Sequence, residues 1–126
     1  MTCPFCNLSS ERIFKRAEGC LALADAYPLS RGHTLVIPER HVRSFFETSA
    51  DEKSGLFRLL EWCRKDLSER YRPSGFNIGI NDGAAAGQTV MHLHIHLIPR
   101  YAGDTADPRG GIRWIFPDKA DYWSGR

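Results

Sequence analysis

Gly87-Gln88-Thr89-Val90-Met91-His92-Leu93-His94-Ile95-His96-Leu97-Ile98-Pro99 sets three histidines in alternation with aliphatic residues behind a Gly-Gln-Thr turn. Period-two alternation is the pattern of a β-strand, whose successive side chains point to opposite faces. The stretch is therefore predicted as a strand that sends His92, His94 and His96 to one side, ~6–7 Å apart, and Leu93, Ile95 and Leu97 to the other. The aliphatic side belongs to a core and the imidazole side to a site. Near neutral pH an imidazole is a nucleophile, a proton donor or a metal ligand, and three aligned copies exceed what packing needs.

Phe76-Asn77-Ile78-Gly79-Ile80-Asn81 alternates as well and is the expected partner strand. The connection, Asp82 to Gly87, is small enough to bring backbone N–H groups up to an anion, or simply to turn a hairpin. Before it, Ser49-Ala50-Asp51-Glu52 reads as a capping box that opens a helix running to about Tyr71. Leu56, Leu59, Leu60, Cys63 and Leu67 make its apolar stripe, which assigns Cys63 to the core. Arg31 to Pro38 is a strand stopped by proline that carries His33, with His41 just beyond. Arg12–Arg16 and Cys20–Asp25 form a hairpin around Gly19. Asp25 closes the face it shares with Leu21 and Leu23, the ordinary place for a solvent-exposed turn acid.

The order, strands then one long helix then two strands, is α+β with a mainly antiparallel sheet. With 126 residues and no repeat, linker or low-complexity run, one domain over 1–126 is expected. A net charge of +2 is too small to hold nucleic acid by bulk electrostatics, although arginine outnumbers lysine. No apolar run approaches the ~20 residues of a membrane span, and Met1 to Cys6 lacks the pattern of a leader, so a soluble cytoplasmic protein without membrane contact is expected. Cys3-Pro4-Phe5-Cys6 is half of a zinc site, a redox pair or two small hydrophobes; a redox pair would want a preceding strand that this end of the chain does not offer. After Pro99 the periodicity is lost. Asp107 to Trp114 is turn-rich and cationic, and Tyr122-Trp123 is expected to pack onto something, a second subunit among the choices.

Three chemistries compete for the histidine stretch. His-x-His is a chelating pair for a catalytic metal, though no Asp or Glu follows His96 within seven residues and His33 or His41 would have to complete the shell. The second choice is attack of one histidine on phosphorus to give a phosphoramidate that water discharges, with the Gly-Gln-Thr backbone holding the developing charge. The third choice is a structural oddity.

Gly87-Gln88-Thr89-Val90-x-His92-x-His94-x-His96-Leu97-Ile98 resembles the signature of the histidine-triad (HIT) superfamily of nucleotide hydrolases and transferases. Gly32-His33-Thr34-Leu35-Val36-Ile37-Pro38 with His41 resembles the family's earlier block, and Asn81-Asp82-Gly83 its approach to the triad. The likeness covers about residues 3–101, with 102–126 as an extension.

The resemblance implies a HIT-like fold, an antiparallel sheet of about five strands with one long helix, continued across a homodimer. It implies His94 as nucleophile on the α-phosphorus of AMP conjugates, His96 as a hydrogen-bond donor to phosphate or bridging oxygens, and His92 and His33 as groups that tune and orient. Asn81, Gln88 and Thr89 match positions on the phosphate side, Asp25 the position that holds ribose hydroxyls, and Phe5, Leu8, Leu23 and Ala26 the slot for a purine, adenine by preference. Some bacterial members hold a structural zinc through residues matching Cys3, Cys6, His41 and His92; no organic cofactor is implied. His96 departs from the nucleotide-sugar uridylyltransferase branch, where glutamine is usual. Thr89 looks like the diadenosine-polyphosphate hydrolase branch and Asn81 like the adenosine phosphoramidase branch. A nucleotide-binding module with little turnover, and a metal-dependent enzyme using the histidines as ligands, are the alternatives.

Overall fold

Ala17 faces Cys20 across a two-residue loop, so β1 (Ile13–Ala17) and β2 (Cys20–Ala24) form a tight hairpin in the computed structural model, which describes residues 3–125. Met1, Thr2 and Arg126, part of the expected domain, lie outside the described residues. Glu18 and Gly19 both have positive φ, 46° and 76°, as the favoured two-residue hairpin turn requires. β2 pairs with β3 (Thr34–Pro38), β3 with β5 (Ile95–Arg100) and β5 with β4 (Gly75–Ile80). All pairings are antiparallel, and the order β1-β2-β3-β5-β4 leaves β1 and β4 as edges.

The helix α1 (Ala50–Tyr71) has the expected start and end. Ser49 accepts the Glu52 N–H while the Glu52 carboxylate accepts the Ser49 N–H, and Arg72 ends the helix in the left-handed conformation before Pro73. Leu56, Leu59, Cys63 and Leu67 bury against Cys20, Ala22, Val36, Leu93, Ile95 and Leu97. Contact is close at Gly55, where a Cβ would stand 2.6 Å from the Ala17 carbonyl oxygen, so the helix sits directly on the first hairpin. The opposite side of the sheet carries a second layer, Leu21, Leu23, Leu35 and Ile37, on which Phe5, Leu8 and Ile13 pack.

The histidine stretch departs from the expected strand. Its ladder begins only at Ile95, where β4 ends opposite it at Ile80 and the pairing with β3 stops at Val36. Upstream, the backbone is spent elsewhere: the Leu93 N–H donates to the Val42 carbonyl. The alternation of faces survives without the ladder, since Leu93, Ile95 and Leu97 all enter the core under α1. The His94 and His96 rings are closer than expected, with centroids 5.2 Å apart.

The tail folds onto its own chain. Arg113 donates to the Lys119 and Ala120 carbonyls and stacks on Tyr122, while Arg109 stacks on Trp123. A short helix α2 (Pro117–Ala120) buries Ala120. No helix among the described residues is long and apolar enough to cross a membrane.

Candidate active site

His92, His94 and His33 each meet a different backbone group, and that contact decides which nitrogen carries the proton; His96 takes its assignment from the His33 ring. His92 is wholly buried and its Nε2–H donates to the Pro38 carbonyl at 2.8 Å, leaving the Nδ1 lone pair bare. His94 donates Nδ1–H to the carbonyl of His92 at 2.8 Å, which leaves Nε2 bare. His33, 2% exposed, accepts the Leu29 N–H on Nδ1 at 3.0 Å, so its proton is on Nε2. That Nε2–H points at His96 Nδ1, 2.9 Å away, and so His96 carries its own proton on Nε2. A neutral imidazole has one donor and one acceptor, and here the assignment closes around the whole set.

Burial is the main reason that His33, His92 and His96 are all held below the usual histidine range, with the neighbouring rings adding to it at His92 and His96. They are therefore neutral at pH 7. Asp25 acts in the opposite direction on His33 and His96. Its Oδ2 lies 3.3 Å from His33 Nε2 and 3.9 Å from His96 Nδ1, while Oδ1 accepts the Tyr27 N–H at 2.9 Å. Asp25 is thus drawn inward to the histidines and is not the solvent-exposed turn acid of the commonest case.

Bare His92 Nδ1 faces the N-terminal Cys-Pro-Phe-Cys turn. It lies 3.4 Å from Cys3 Sγ and 3.6 Å from Cys6 Sγ, and His41 Nδ1 lies 3.2 Å from Cys6 Sγ. All four ligand atoms fall within 4.8 Å of one another. Bonds of ~2.3 Å to sulfur and ~2.1 Å to nitrogen in a tetrahedron put ligand atoms about 3.5 Å apart, so the set fits zinc. The Pro38 carbonyl on the far nitrogen is the outer contact that a ligating histidine ordinarily has.

Asp25, His33 and His96 also lie within 4.8 Å, but their donor chemistry is wrong for a metal. His33 could ligate through Nε2 only with its proton on Nδ1, and Nδ1 already faces a backbone N–H. This trio is a hydrogen-bond array.

The turn entering the stretch is built by Gln88, which is 4% exposed. Its amide donates to the carbonyls of Arg43 and Val90 and its Oε1 accepts the Gly83 N–H. The N–H groups of Gly87 and Gln88 close the turn on Ala84 and Gly83, so the expectation that the Gly-Gln-Thr backbone is open to an anion is corrected for those two. Asn81 lies against Gly87, and Thr89 is exposed.

Phe5 sits 5.2 Å from the His94 ring and 5.8 Å from that of His92. Leu8 packs with it on a layer that includes the fully covered Leu23, whereas Ala26 is exposed in the following turn. Residues that the sequence reading missed are Leu29 and Pro38, which act through backbone groups, and Ser44, whose hydroxyl donates to Asp82 at 2.9 Å and anchors the loop after β4. Only Ser44 carried a signal: with Glu47 it forms a second capping box.

The HIT domain family model matches residues 8–103. The chain belongs to that family. An uncharacterized HIT-like protein of Mycoplasma genitalium is 38% identical over 104 residues, 79% of this chain and 74% of that protein. The bis(5'-adenosyl)-triphosphatase of Saccharomyces cerevisiae is 31% identical over 119 residues, 94% of this chain but 55% of that protein. Among solved structures, a Zn-bound histidine triad family protein from Mycobacterium smegmatis superposes with a TM-score of 0.73 at 36% identity, covering 84% of this chain and 80% of that one. The five-stranded antiparallel sheet with one long helix is the HIT fold.

Proposed function

We propose that this HIT domain hydrolyses AMP conjugates, with dinucleoside polyphosphates and AMP phosphoramidates as its substrate classes, through a nucleotidyl-histidine intermediate on His94. The observation that carries this reading is the hydrogen bond from His94 Nδ1 to the His92 carbonyl. It leaves Nε2 as an unprotonated nucleophile beside His96, whose Nε2–H is free to donate. The yeast relative's activity supports the substrate class.

In the first step His94 Nε2 bonds to the α-phosphorus and the bond to the leaving group breaks with its electron pair. His96 donates to a phosphoryl oxygen as charge develops there. Water then attacks phosphorus and gives up a proton to solvent, the P–N bond breaks with its pair returning to His94 Nε2, and AMP leaves with His94 neutral again. Phe5 and Leu8 form the apolar wall for the base. Asn81 and Thr89 face the phosphates, and Gln88 serves them by shaping the turn.

Cys3, Cys6, His41 and His92 would hold a zinc ion whose part is structural, fixing the N-terminal turn and the His92 ring while leaving His94 free. The same reading places the protein in the cytoplasm, where the thiols stay reduced, as one domain with its core at about 3–101. It also makes it a homodimer: β4 is an edge strand, and Ile78 on it is 55% exposed.

The test is AMP release by the wild-type chain and by His94→Ala from diadenosine triphosphate, diadenosine tetraphosphate and adenosine phosphoramidate, with EDTA controls. Wild type is expected to release AMP and His94→Ala to lose about 10⁴-fold or more in rate. Equal rates in the two proteins would remove the nucleophile, and binding without release by wild type would leave a binding module.

A further inference from the structure

We infer that Asp25 is a positioning residue for His96, acting through His33 to present His96 to the nucleotide as an Nε2–H donor. The inference rests on the reading of His96 as a phosphate donor and goes beyond the ribose contact implied for this position.

Both carboxylate oxygens of Asp25 face N–H groups of the protein itself. Oδ1 takes the Tyr27 N–H, and Oδ2 is aimed at His33 Nε2. The main chains are tied as well, since the Asp25 N–H donates to the His33 carbonyl at 3.1 Å. His33 is gripped from the other end by the Leu29 N–H on Nδ1. Its single proton therefore sits on Nε2, between Asp25 Oδ2 at 3.3 Å and His96 Nδ1 at 2.9 Å.

Two consequences follow for His96. A proton on its Nδ1 would face the His33 proton head-on, so the neutral ring must carry hydrogen on Nε2. The charged ring would meet the same clash with the His33 proton, which works against the pull of the Asp25 carboxylate toward the charged form. The titratable groups that face His96 are His94 from its own segment, His33 at the entry to β3 and Asp25 at the end of β2. The residues paired with it across the sheet, Leu35 on β3 and Gly79 on β4, carry no charge. The Leu29 N–H fixes which nitrogen of His33 carries the proton, and the Asp25 carboxylate, beside Nε2, helps aim that proton at His96.

Asp25→Asn is the sharp variant. It has the same shape, and an amide can still meet ribose hydroxyls, which donate and accept. It cannot accept two N–H groups, because turning its oxygen to one donor turns its NH2 toward the other. The full chain and this variant are compared on diadenosine triphosphate and on the bis-dideoxyadenosine counterpart, which has no ribose hydroxyls for Asp25 to hold. In parallel, the tautomer of each histidine is read from the ring nitrogen shifts by long-range ¹⁵N–¹H NMR.

Wild type is expected to show His33 and His96 with the proton on Nε2. In Asp25→Asn the His96 nitrogens move toward a mixture of tautomers, and kcat falls about ten- to hundredfold on both substrates alike. A loss confined to the ribonucleotide, taken in KM, would make Asp25 a ribose ligand and overturn the inference. So would unchanged His96 nitrogens in the variant, or a wild-type His96 protonated on Nδ1, whatever the rates. If wild type releases no AMP from either substrate, the proposed function fails, and the ring nitrogens alone still decide the part of Asp25.

Discussion

Two clusters of side chains flank His94, and on paper they are alike. Cys3, Cys6, His41 and His92 on one side, and Asp25, His33 and His96 on the other, each bring their nitrogen, sulfur or oxygen atoms within 4.8 Å. One is fit to hold a metal and the other is not. The difference lies on the far side of one ring in each. His92 meets a carbonyl there, which takes its proton and bares the near nitrogen; His33 meets an N–H, which fills the far nitrogen and leaves the near one protonated. Proximity of ligand atoms therefore says less about a metal than the polarity of the backbone behind them.

The strongest way to break this contrast is to remove one thiol. Cys3→Ser is expected to abolish stoichiometric zinc and to destabilise the fold by about 3 kcal/mol or more, as loss of a structural metal does. Metal analysis and thermal unfolding of the variant, against Asp25→Asn with its full zinc content, would set the two clusters apart. Zinc lost from both, or from neither, would erase the distinction.

Phe5 tests whether the clusters communicate, because it rides on the cysteine turn and touches the His94 ring. Phe5→Ala should keep its zinc while KM for an AMP conjugate rises about three- to tenfold, the scale of one aromatic contact. An unchanged KM would reduce Phe5 to a cover for the metal turn.

The smallest effect is one of pH. Burial lowers the folded pKa of His33 and His96 below the ordinary histidine value of about 6.5, so between those folded values and 6.5 the unfolded chain binds more protons. Stability is then fully present above about 6.5 and is lost as pH falls below it, by at most about 1.4 kcal/mol per pH unit for each ring. Unfolding curves between pH 7.5 and 5.5, run on His33→Gln beside wild type, should show a shallower decline in the variant; matching slopes would mean that His33 is not held neutral.

Much of this was readable from residue types alone. Ser49 and Glu52 announced the start of α1, Gly19 announced the hairpin, and Cys3, Cys6, His41 and His92 converge as the resemblance implied. What escaped has a common cause. The strand is shorter than expected because side-chain alternation persists where ladder hydrogen bonds do not: β4 ends opposite Ile95, and the backbone before it bonds to Val42. Gln88, a phosphate-side residue by the resemblance, spends its amide on its own loop, and a polar side chain beside a site looks the same in sequence whether it faces a ligand or that loop. Which ring nitrogen carries the proton is set by Leu29, Pro38 and the His92 main chain, through groups that every residue has and no motif records.

Burial also sorts the thiols. Cys20 and Cys63 are wholly enclosed, with their pKa values pushed up to about 12, chiefly by burial. A thiol-specific dye offered to the folded protein at neutral pH will consequently find two addresses, Cys3 and Cys6, and whatever occupies them will slow its reaction. The chain thus carries an optical gauge of the state of its own N-terminal turn, with no label engineered into it.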